Sequence, residues 1–90
     1  MAHVIKLNFH HDAGHGWLEV PLAMVQAIPR NEWRPSQFSY YSGKRLMVYL
    51  EEDCDAPRFE ELYKKHNNVE FDVNEIYDGN ESPIRRLGRC

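Results

Sequence analysis

The chain lacks most of the marks by which catalysis or membrane insertion is read from sequence. Its two cysteines, Cys54 and Cys90, form no CxxC pair, and free thiols of this kind point to a reducing, cytoplasmic compartment. There is no signal-like apolar run near residue 1. No stretch approaches the roughly 20 apolar residues that a membrane span requires. A P-loop, a dinucleotide fingerprint and a nucleophile elbow are all missing, so no cofactor is indicated. Ser36, Ser39, Ser42 and Ser82 have no motif around them. The formal net charge of −3 supplies no general attraction to nucleic acid or anionic lipid. Linkers, low-complexity segments and a second domain are likewise missing.

What is present is the composition of one folded domain. Ninety residues, 42% of them hydrophobic and 28% charged, fit a single domain over 1–90. A chain of this size buries somewhat over about 60% of its unfolded surface, enough for a modest core without disulfides. Eleven aromatics supply much of that core.

Hydrophobic periodicity predicts the elements. Ile5, Leu7 and Phe9 alternate with Lys6, Asn8 and His10, the period of a half-buried strand. Gly14 and Gly16 punctuate a turn, and Trp17, Leu18 and Val20 return as a second strand. Pro21 is suited to open a helix carrying Leu22, Val25 and Ile28, because its missing N–H is an orphan there anyway. Pro29 stops that helix, and residues 30–37 read as a loop with Trp33 tucked inward. Residues 38–41 and 45–51 are predicted strands joined by a tight turn at Ser42, Gly43 and Lys44. Asp55 is placed to cap a helix over 56–66, with Phe59, Leu62, Tyr63 and His66 on one stripe. Val69, Phe71 and Val73 then give a fifth strand running toward Tyr77. Residues 79–90 read as a partly extended basic tail. The expected fold is therefore α+β: an antiparallel sheet of about five strands, order ββα-ββα-β, with two helices on one face.

Four groups of residues could carry chemistry. His10, His11, Asp12 and His15 are zinc-ligand types within six residues. Their spacing differs from HExxH, and the plainer reading is a polar hairpin loop. Cys54 sits near a helix N-terminus, which can activate a thiol, but Asp53 and Asp55 oppose a thiolate. Glu51, Glu52, Asp53 and Asp55, continued by Glu60 and Glu61, form an acidic run at a strand–helix junction. Such carboxylates stabilise a helix start, or they present a negative surface that steers a basic partner. Lys44, Arg45, Arg85, Arg86 and Arg89, with Tyr40 and Tyr41, are basic and aromatic residues that could stack on bases. SGKRLMVYL does not match the RNA-recognition pattern, and the net charge argues against nucleic acid.

His15-Gly16-Trp17, Tyr40-Tyr41, the run from Tyr49 to Asp55 and Ile84-Arg85-Arg86 recur together in a family of small uncharacterised accessory proteins of bacterial plasmids, phages and integrated elements. The chain resembles that family over most of its length. The resemblance implies a non-enzymatic accessory protein that acts on a host or element-encoded protein, including as an anti-CRISPR or anti-restriction inhibitor. The expected contact residues are Glu51, Glu52, Asp53, Asp55 and Glu61, with Trp17, Arg85 and Arg86 as additions. The competing expectation is a metal enzyme or sensor built on His10, His11, Asp12 and His15.

Overall fold

A computed structural model describes residues 2–90. The chain runs β1 (His3–His11), β2 (Gly16–Pro21), α1 (Leu22–Gln26), β3 (Tyr40–Ser42), β4 (Met47–Glu51), α2 (Asp55–His66) and β5 (Val69–Tyr77). A 3-10 helix (Pro83–Arg86) and β6 (Gly88–Arg89) follow. The six strands form one sheet in the order β5-β1-β2-β4-β3-β6. The α+β class and the two helices on one face are as the sequence predicts.

Two features of the sheet differ from that expectation. β5 lies parallel to β1, with Ile5 beside Phe71 and Leu7 beside Val73, so the sheet is mixed. The cause is α2, whose twelve residues carry the chain across β2 and β1 to the far edge; a helical crossover of this length delivers a parallel strand. The sixth strand is β6, which pairs with β3 through Tyr41↔Gly88 and Tyr40↔Arg89. The segment read as a basic tail thus folds back over the sheet and buries Ile84.

Alternation along the strands creates two cores. On the helix side, Leu7, Leu18, Val20, Val48 and Leu50 meet Val25, Ile28, Phe59 and Leu62. Phe59 is fully buried and touches the rings of Trp33, Tyr63 and Phe71 at 5.4–6.0 Å, which confirms Trp33 as an inward residue. On the opposite face Trp17, Tyr40 and Tyr49 pack with Ile84. Helix α1 is shorter than expected: Pro21 ends β2 and caps the helix, which stops at Gln26. His66, predicted on the apolar stripe of α2, is exposed and lies 2.9 Å from the Glu32 carboxylate.

Asp55 does not cap α2 through its side chain. Its buried carboxylate instead accepts the Ser36 N–H and hydroxyl, each at 2.8 Å, and the Ser39 hydroxyl. This pins the 30–39 loop to the start of the helix. Phe59→Ala should cost about 3–5 kcal/mol, the range for truncating a buried aromatic. Glu61→Ala, on the exposed flank, should stay within about 0.5 kcal/mol. Urea unfolding followed by circular dichroism separates the two; comparable losses would remove Phe59 from the centre of the core.

Candidate protein-docking surface

The acidic run divides into structural and free members. Glu51, the last residue of β4, is buried, and its carboxylate accepts the N–H groups of Asp53 at 3.0 Å and Cys54 at 2.8 Å. Asp55 is buried and bound to Ser36 and Ser39 as described. Glu61 is exposed on α2 and pairs with Arg58 at 2.5 Å. Asp53 is exposed and Glu52 half-buried.

Glu52 and Glu60 flank a depression of about 240 Å³ between α2 and the sheet, with Phe9, Leu18 and Val73 among its apolar lining. Neither carboxylate forms an ion pair among the described residues. Gly16 permits this arrangement. A Cβ there would come within 2.4 Å of the Phe9 ring and 3.0 Å of Glu52 Oε2, so any side chain would push both aside. Glu75 stands level with Phe9 on β5 and is exposed. Tyr77, 61% exposed, continues the apolar strip through its contact with the His11 ring. Phe9 and Val73 read in sequence as ordinary strand core. Their partial exposure follows from the path of α2, which no local pattern reveals.

Of the basic and aromatic candidates, Tyr40 and Arg85 lie on the other face with Trp17, while Tyr41, paired with Val48, faces the helix side. Trp17 is buried, edge-on to Tyr40 at 6.0 Å and beneath the Arg85 guanidinium at 5.3 Å. Arg85 also donates to Asp12 at 2.6 and 3.0 Å. Trp17 and Arg85 are therefore committed to packing, while Arg86 is exposed. Tyr41, within β3, and Lys44 and Arg45, at the β3–β4 turn, are exposed.

The four hairpin residues do not converge on one point. His10 lies on the second face, its Nδ1 3.2 Å from Asp78 and its Nε2 3.3 Å from Glu19, the latter too poorly aligned for a hydrogen bond. His11 lies on the helix side against Phe9 and Tyr77. Asp12 turns inward, and His15 rests near Trp17 at 6.2 Å. Ligand atoms within 4.8 Å of one another come instead from His15, Glu51 and Glu52. The Cys54 thiol is held above its ordinary value by desolvation and then by Glu51, Asp55 and Asp53. A thiol kept protonated is a poor nucleophile.

Comparison of the chain with protein-family models, with curated proteins and with solved structures finds no match.

Asp12 makes the fold sensitive to acid. Its bonds to Arg85 first, and then to the backbone N–H groups of Ser82, His15 and Gly14, outweigh desolvation and hold its carboxyl well below the usual carboxylate range. A depressed folded-state pKa gives stability that is complete above the unfolded pKa and is lost as pH falls below it. The protein should therefore lose stability below about pH 4, the unfolded Asp value. Asp12→Asn should be less stable at pH 7 yet decline less over the acid range. Thermal melts from pH 7 to pH 2 provide the comparison; parallel profiles would show that Asp12 is not the acid-sensitive group.

Proposed function

We propose that the chain is a non-enzymatic binding protein that docks a basic and apolar segment of a partner protein in the depression between α2 and β1. The carrying observation is the pairing of an uncovered apolar lining, Phe9 and Val73, with carboxylates at Glu52 and Glu60 that have no internal cation. Lysine or arginine from a partner can neutralise those carboxylates while its apolar neighbours fill the depression, and the surrounding negative field speeds and orients encounter. The resemblance to accessory proteins of mobile elements directs the choice of partner. Host defence complexes of the restriction and CRISPR type carry basic nucleic-acid-binding surfaces, so an anti-defence inhibitor is the role this reading favours.

The test is capture of partners from bacterial host lysates with the wild-type chain and with Glu52→Lys/Glu60→Lys. The double reversal should abolish capture while the melting temperature stays within a few degrees of wild type. Glu51→Lys should instead unfold the protein, because it removes the acceptor for two backbone N–H groups. Capture that survives the Glu52/Glu60 reversal, or unchanged phage and plasmid survival in hosts expressing the protein, would sink the reading.

The proximity of His15, Glu51 and Glu52 favours a second reading, a metal-binding protein, because imidazole and carboxylate oxygen suit zinc or manganese. Equimolar zinc should then raise the melting temperature, and His15→Ala should remove the rise. No shift with zinc or manganese would dispose of it.

A further inference from the structure

A second concavity lies on the helix side of the sheet, lined by other residues than the acidic depression. It encloses about 810 Å³, with Val25, Ile28 and Val48 among its apolar lining and Trp33 and Tyr41 as its aromatic members. Its origin is the shortness of α1. Five helical residues cannot cover the β4–β3 end of the sheet, and α2 has already turned toward β1 and β5. The 30–37 loop borders the gap without filling it.

The charge of this trough is opposite to that of the whole molecule. Arg30 and Arg34 line it, Arg89 borders it from the sheet edge, and no side-chain carboxylate lines it. All three are exposed, and none makes an ion pair among the described residues. The Arg89 guanidinium is directed to the opposite face, over Tyr40 at 5.4 Å, and donates weakly to the Gln37 carbonyl at 3.3 Å, so Arg30 and Arg34 supply the trough's free positive charge. The nearby acids are spent elsewhere. Glu32 faces Lys65 at 3.5 Å and His66 at 2.9 Å, and Asp55 is buried behind Ser36. A chain of net charge −3 thus holds a positive apolar trough.

We infer that this trough is a docking site for an acidic amphipathic helix of a partner protein. The apolar lining takes the helix's hydrophobic stripe, and Arg30 and Arg34 take carboxylates on its flank, the helix-in-groove mode of recognition. The trough is open along one side, whereas small-molecule sites bury about 70–90% of their ligand. This favours a protein segment over a free anion. The site is separate from the Glu52/Glu60 depression and takes the opposite charge.

The test uses a fluorescein-labelled synthetic helix of about 14 residues with leucine at i, i+3, i+4 and i+7 and glutamate on its flanks. The same peptide with lysine for glutamate is the control. Fluorescence anisotropy should show the acidic peptide binding at least about tenfold more tightly than the basic one, with a change in Trp33 emission. Arg30→Glu/Arg34→Glu should invert that preference without altering the circular dichroism spectrum or melting temperature. Glu52→Lys/Glu60→Lys should leave it unchanged, so failure here is distinct from failure at the acidic depression. Equal binding of the two peptides, or a preference that survives the arginine reversal, would overturn the inference. So would 1:1 binding of anilinonaphthalene sulfonate without peptide binding, which points to a small anionic ligand. Self-association abolished by the arginine reversal would assign the trough to a second copy of the chain.

Discussion

Asp12 accepts five hydrogen bonds, from the N–H groups of Gly14, His15 and Ser82 and from two nitrogens of Arg85. Two of them shape the β1–β2 turn, and three reach a segment some 70 residues further along the chain. That one carboxylate therefore decides how the second face of the sheet is closed. With Arg85 held, the 3-10 helix lies where Ile84 meets Trp17, Tyr40 and Tyr49, and β6 follows into register beside β3. A charged pair at this depth is tolerated because every bond is charge-assisted. Losing either partner would leave the other desolvated and uncompensated.

The same logic sorts the remaining acidic residues. Glu51 and Asp55 are buried and bound by backbone N–H and hydroxyl donors, so their charge is spent on joining β4, the 30–39 loop and α2. Glu52 and Glu60 lie beside apolar side chains with no cation facing them. A carboxylate kept that way contributes little to folding and keeps its charge available for a partner. Glu51 and Asp55 on one side and Glu52 and Glu60 on the other thus sit in two different environments, and only burial and hydrogen bonding tell them apart.

Much of the architecture was legible in the residue pattern. The alternation of Ile5, Leu7 and Phe9 and the helical spacing of Phe59, Leu62 and Tyr63 each identified an element and its inward face. The parallel pairing of β5 was not legible, although the β4–α2–β5 succession contains its cause; a twelve-residue helix leaves room for a crossover but does not require one. β6 was missed because two residues, Gly88 and Arg89, carry no periodicity. The acidic run was visible, but its division was not, since Ser36 and Ser39 reach Asp55 from a different segment. The trough was wholly hidden. Arg30 and Arg34 sit in a loop, and only its packing beside α1 and β4 sets them at one concavity.

That closure links the folding of one face to the edge of the trough on the other. β6 borders the trough because it pairs with β3, and it is positioned by a segment that Arg85 anchors to Asp12. The positive trough and the acidic depression are separately lined hollows of the helix-covered face, the first beside α1 and the second beside α2. A net charge of −3 describes neither. A partner that carries basic and acidic segments side by side would be held in one orientation, because the reversed pose sets like charges against each other at both sites.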